Sequence, residues 1–151
     1  MQDKFFHVSW DKIHQDAKVL SAKLKGRQEW QGLVAVTRGG LVPASILAQE
    51  LDLRWVDTIC IASYSQDKEA ADMNVMKSIQ GNGKGLIVID DLVDSGRTFH
   101  WIQKRLPEAY FTAVYAKPEG CHTLSQPDDA VTIDQDQWIV FPWEDQLQQA
   151  V

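Results

Sequence analysis

The stretch Leu86-Ile87-Val88-Ile89-Asp90-Asp91-Leu92-Val93-Asp94-Ser95-Gly96-Arg97-Thr98 decides how the chain is read. It opens on four aliphatic residues in a row, a pattern that suits a strand buried on both faces of a parallel sheet. Two carboxylates follow side by side, then a short loop of small and polar residues. A helix is expected from Thr98. Strand, acids, Ser/Gly/Thr turn and helix form a phosphate-binding device, because backbone N–H groups and a helix N-terminus can face an anion there. A plain buried strand with a capped helix would explain the apolar run and Ser95 or Thr98. It would not explain Asp90, Asp91 and Asp94 within five residues.

Working outward, a second strand–loop–helix precedes the first. Gly32 to Thr37 reads as a strand that runs into Arg38-Gly39-Gly40, and Val42 to Leu51 reads as a helix with Pro43 in its first turn. Glycines let backbone approach a ligand closely, and Arg38 supplies a fixed positive charge. Two such turns in one chain point to one phosphorylated ligand more strongly than either alone.

The flanking segments complete an alternation. Phe5 to Ser9 reads as a short strand, with Ser9 as N-cap of a helix from Trp10 whose Ile13, Ala17, Leu20 and Leu24 share one face. Trp55 to Ser63 and Tyr110 to Lys117 read as strands, with a helix carrying Phe99, Ile102 and Leu106 between them and a short strand near Ala130–Ile133 after them. Such alternation predicts a mostly parallel α/β sheet flanked by helices. Ligands bind such sheets at the carboxyl ends of strands, where Arg38, Tyr64, Asp90, Asp91 and Lys117 are expected to converge. The polar run from Ser65 to Asn74 has no strong periodicity.

Size and charge set limits. The chain has 151 residues, with 44% hydrophobic and 24% charged, which suits one globular unit. The net charge of −6 argues against a nucleic-acid partner held by phosphate contacts. No apolar run approaches a membrane span, and the first residues lack the apolar segment of a signal peptide, so a cytoplasmic location is expected. Cys60 reads as core, Cys121 as loop, and His7, His14, His100 and His122 show no metal-ligand spacing.

The central motif resembles that of type I phosphoribosyltransferases, which use phosphoribosyl pyrophosphate (PRPP). Together with Val36 to Pro43, Ser63-Tyr64, Ala116-Lys117-Pro118 and Trp138-Ile139, it is similar in order and spacing to the bacterial xanthine-guanine phosphoribosyltransferase family over nearly the whole chain. The resemblance implies a single domain with a small hood, mainly residues 118–143, and a lid over about residues 64–79. It implies PRPP contacts from Arg38, Gly39, Lys68, Asp90, Asp91, Leu92, Val93, Asp94, Ser95, Gly96, Arg97 and Thr98, with Asp91 on Mg²⁺. It implies a base site of Asp94, Lys117, Trp138 and Ile139, with Asp94 as the catalytic acid–base group. The family's pyrophosphate loop also implies a non-proline cis peptide at Thr37–Arg38 or Arg38–Gly39.

Two positions depart from the family pattern. Relatives carry a lid arginine where this chain has only Lys68, and often a glycine where Arg97 stands. The implied activity is transfer of phosphoribosyl from PRPP to N9 of guanine, xanthine and, less well, hypoxanthine, giving GMP, XMP or IMP. A homotetramer, at most peripherally bound to the inner membrane, is implied with it. Two alternatives stay open: a hypoxanthine-guanine enzyme without xanthine preference, and a PRPP-sensing regulator of the same fold. Taken singly, Lys117 reads as a solvated strand end and Trp138 as core.

Overall fold

The computed structural model describes residues 4–63 and 73–144. Eight strands and three α-helices run in the order β1 (Phe5–His7), α1 (Trp10–Leu24), β2 (Gly32–Val36), α2 (Leu41–Glu50), β3 (Val56–Ser63), β4 (Met73–Lys77), β5 (Leu86–Val93), α3 (Arg97–Arg105), β6 (Tyr110–Ala116), β7 (Val131–Thr132) and β8 (Trp138–Val140) among the described residues. A six-stranded sheet has the order β4-β3-β2-β5-β6-β7, and β1 pairs with β8 in a separate ribbon. Within the large sheet only the β3–β4 pair is antiparallel.

The apolar runs follow from cover on both faces. In β2, Leu33 and Ala35 join the core under α1 and α2, whereas Val34 and Val36 join the core under α3. Strand β5 divides likewise, Ile87 and Ile89 against Leu86 and Val88. Each face therefore needs an apolar side chain at every position, which replaces alternation by a continuous run. On α1, Ile13, Ala17, Leu20 and Leu24 are buried, and Ser9 Oγ accepts the Lys12 N–H at 3.0 Å. That cap is worth about 1 kcal/mol.

The structure differs from the sequence reading at several elements. Strand β5 continues through both acids to Val93 instead of stopping at Ile89. Residues 73–77, expected within the lid, form an edge strand on β3. Helix α3 starts at Arg97, with left-handed Gly96 at its N-cap and neither Ser95 nor Thr98 capping it by a side chain. Cys60 is half-buried beside Met76, 3.9 Å between sulfurs, because the β3–β4 edge lacks full cover. Tyr64, Lys68 and the polar C-terminal segment 145–151 lie outside the described residues.

At the amino end of β6, Asp129 accepts two hydrogen bonds from Arg27 and one from Tyr110. Burial alone would raise the Asp129 carboxyl, but these donors outweigh it and hold the group below the usual carboxylate range. This cluster ties the turn after α1 to the start of β6 and stands at the opposite strand end from Lys117.

Candidate active site

Strand β5 lies between β2 and β6, so the loops after all three open on one edge. The Thr37–Arg38 peptide at the end of β2 is cis, one of the two positions implied by the family pattern. Arg38 is exposed, and the glycines after it are forced by close approach. A Cβ on Gly40 would meet Ile89 O at 2.5 Å and Val36 O at 2.7 Å, and one on Gly39 would run into the Asp91 carboxylate. The β2 loop and the end of β5 therefore press together at Asp91.

After β5 the chain turns through Asp94, Ser95 and Gly96 into α3. Gly96 has φ +85°, and a Cβ there would also meet Thr123 Cγ2 at 2.5 Å. Only glycine satisfies both demands. Thr123 is itself fixed, its Oγ1 on Gly120 O at 2.7 Å and its carbonyl on Gln103 of α3 at 2.6 Å. Helix α3 has no acid in its first turn, and its Arg97 N–H reaches Ser95 Oγ only at 3.4 Å. The first N–H groups and the positive helix end are thus left for an anion. A cleft of about 150 Å³ lies here, lined by Asp90 and by Leu92 through Phe99.

Asp90 lines this cleft, and Asp91 follows it in β5. Asp90 Oδ1 accepts the Asp91 N–H at 2.8 Å, and Asp91 Oδ1 accepts the Leu92 N–H at 2.7 Å. Burial pushes both carboxyls above their usual range, and the charge of Asp91 adds to the effect on Asp90. Among the described residues no cation pairs with either acid. Two crowded carboxylates with uncompensated charge fit a divalent cation. Mg²⁺ takes one or two protein carboxylates and completes its shell with water and substrate oxygens, so Asp91 suits it without a preformed cage.

A second cleft, about 230 Å³, is lined by Asp91, Leu92, Asp94, Lys117, Trp138, Ile139, Phe141 and Glu144. It shares Leu92 and Asp94 with the first. Lys117 is 6% exposed, and its Nζ reaches Asp94 Oδ2 at 3.3 Å. Trp138 is 67% exposed while its neighbour Ile139 is 6% exposed. Both residues thus reverse the ordinary expectation: the lysine is buried and the indole lies open. In strand β8 neighbouring side chains face opposite sides, so Trp138 turns away from the face that buries Ile139. Ile139 and Phe141 join the core, and Phe141 stacks on Trp143 at 4.6 Å.

The structure brings Asp90 to Thr98, Lys117, Trp138 and Ile139 to one edge. It adds three residues that the motifs did not indicate: Gln135, Phe141 and Glu144. Gln135 Nε2 donates to Asp94 Oδ1 at 2.9 Å, and Glu144 Oε2 accepts the Phe141 N–H at 3.0 Å. The aromatic cluster at residues 136–143 was the signal available for Phe141. Nothing local in sequence marks the other two. Among the described residues, no group of three His, Cys, Asp or Glu side chains could hold a metal.

The phosphoribosyl transferase domain family matches residues 9–150. The chain belongs to that family. It is 44% identical over 149 residues to xanthine-guanine phosphoribosyltransferase of Nitratidesulfovibrio vulgaris, covering 98% of this chain and 90% of the relative. It is 42% identical over 152 residues to the enzyme of the same name from Desulfotalea psychrophila, covering 98% and 93%. Among solved structures, purine phosphoribosyltransferase from Pyrococcus horikoshii superposes with a TM-score of 0.79 at 23% identity, over 95% of each chain. Xanthine-guanine-hypoxanthine phosphoribosyltransferase from Helicobacter pylori superposes with a TM-score of 0.70 at 23% identity, over 96% and 97%. At these identities the structures speak for the fold. No described helix is long and apolar enough to cross a membrane.

Proposed function

We propose that this phosphoribosyltransferase transfers the 5-phosphoribosyl group of PRPP to N9 of guanine and xanthine, and less well of hypoxanthine. The observation that carries the reading is the Lys117–Asp94 pair beside the open face of Trp138. A 6-oxopurine with its proton on N7 presents a donor and, on the same edge, the 6-oxo acceptor. A carboxylate beside an ammonium is complementary to that edge. Adenine would turn an amino group toward the ammonium, a polar mismatch that leaves buried groups unpaired. Trp138 offers a flat face for the ring, and the backbone around Ile139 faces its far side.

The chemistry follows from these positions. Ser95, Gly96, Arg97 and Thr98, with the start of α3, hold the ribose 5′-phosphate. Arg38 and Gly39 face the pyrophosphate, and Lys68 is the lid cation of this reading. The lone pair on purine N9 forms the bond to ribose C1, the bond from C1 to pyrophosphate breaks, and the pair leaves with pyrophosphate. Asp94 accepts the N7 proton, so the product base is neutral. Mg²⁺ at Asp91 supplies charge neutralisation for the pyrophosphate when bound. The loop amides and Arg38 supply the rest. A homotetramer in the cytoplasm belongs to the same proposal.

One assay tests it. PRPP and Mg²⁺ are supplied with guanine, xanthine, hypoxanthine, adenine and uracil in parallel, and nucleotide is measured. Guanine and xanthine should react best and adenine not at all. Equal rates for hypoxanthine and guanine with none for xanthine would replace the reading by a hypoxanthine-guanine enzyme. Absence of product from every base would leave a PRPP-binding protein.

A further inference from the structure

Asp94 is held from two sides. Lys117 reaches Oδ2 at 3.3 Å, and Gln135 donates from Nε2 to Oδ1 at 2.9 Å. The far end of Gln135 decides which way its amide points. Its Oε1 accepts the Glu119 backbone N–H at 2.9 Å. A backbone N–H can only donate, so the amide oxygen must face Glu119 and the NH₂ must face Asp94.

We propose that Gln135 is the positioning residue for Asp94 during base transfer. The proposal rests on the reading of Asp94 as the group that takes the purine proton. The Asp94 side chain is 58% exposed, so packing alone does not fix its rotamer. Lys117 cannot be the lasting constraint, because on that reading its ammonium serves the purine 6-oxo group. Gln135 has no such second duty. Its bond anchors Oδ1 and leaves Oδ2 to face the base. A neutral amide also suits the task better than a cation would. A second positive charge would favour the ionised carboxylate and oppose its taking a proton, whereas an amide orients it with little charge.

The contact has a wider geometry. Glu119 lies two residues beyond Lys117, and the Gly120 N–H donates to Lys117 O at 2.9 Å within the same turn. Gln135 therefore binds Asp94 with one end and the lysine's own turn with the other. Both donors to Asp94 are set by a single piece of backbone.

The test compares wild type, Gln135→Leu, Gln135→Glu, Asp94→Asn and the double variant Gln135→Leu/Asp94→Asn. Readouts are kcat, KM for guanine, KM for PRPP and melting temperature. In Gln135→Leu, kcat should fall about tenfold while KM for PRPP stays within about twofold. Gln135→Glu is nearly isosteric but sets a carboxylate against Asp94, so it should fall further. The double variant should be no slower than Asp94→Asn alone, because Gln135 acts through that carboxylate. Unchanged kcat in both Gln135 variants, or fully additive losses in the double variant, would overturn the proposal. So would a kcat loss matched by an equal rise in KM for PRPP and a lower melting temperature, which marks a merely structural residue. Wild type inactive on every 6-oxopurine would remove the functional reading and this proposal together. Wild type active with unaffected variants removes only the role of Gln135.

Discussion

Two clefts meet at Leu92 and Asp94, and they are made in different ways. The cleft we assign to phosphate is lined by Asp90 and by Leu92 to Phe99, a nearly continuous run at the end of β5 and the start of α3. The cleft we assign to the base draws on residues from Asp91 to Glu144, at the ends of β5 and β6 and in and after β8. A phosphate group looks the same in every substrate, so a contiguous backbone loop is enough for it. A base must be told from other bases, which needs particular side chains at particular distances, and the fold gathers them from wherever strands end.

If the clefts do separate work, substitutions should separate the kinetics of PRPP from those of the base. Asp94, which they share, should show the largest effect. Asp94→Asn should lower kcat by roughly a hundredfold or more, the scale of general acid–base catalysis, with a smaller change in KM for PRPP. Unchanged turnover would take Asp94 out of the chemistry. Gly96→Val tests the phosphate side alone. The positive φ and the contact with Thr123 would distort the loop, so KM for PRPP should rise about tenfold with KM for guanine nearly constant. Trp138→Leu is the mirror experiment: KM for guanine should rise about fivefold, for loss of an aromatic face, and KM for PRPP should hold. Parallel changes in both constants, in either variant, would mean that the clefts are one energetic unit.

The smallest effect on activity is expected far from both. Asp129→Asn should leave kinetics at neutral pH unchanged and act on stability. Asp129 has a folded pKa below its unfolded value of about 4. Its contribution is therefore present above that unfolded value and fades as pH falls through the folded one. The difference in urea midpoint between wild type and variant should shrink below about pH 4. A difference that stays constant down to pH 2 would show that ionisation of Asp129 contributes nothing.

The same contrast governs what could be read from sequence. Leu86 to Thr98 was legible because burial on both faces, a left-handed glycine and a helix start leave their marks in neighbouring residues. Helix α1 was legible through its apolar face and Ser9. Lys117 was placed at the site edge by its position after a strand, but its base-binding role, and Trp138 altogether, came only through family resemblance, since composition sends a lysine to solvent and an indole to the core. Gln135 was missed because its partner Asp94 is 41 residues away. Strand β4 was missed because Met73-Asn74-Val75-Met76-Lys77 follows a polar run and is short, and edge strands carry weak patterns.

Strand β8 has three residues, of which Ile139 and Val140 are buried and Trp138 is exposed. One position along it can thus vary without touching the packing that its neighbours secure. Glycines 39, 40 and 96 have no such freedom, since each is wedged against its surroundings. On the proposed assignment of the two clefts, diversification has an address: the choice of acceptor base can drift at the rim while the sugar-phosphate site stays fixed by sterics.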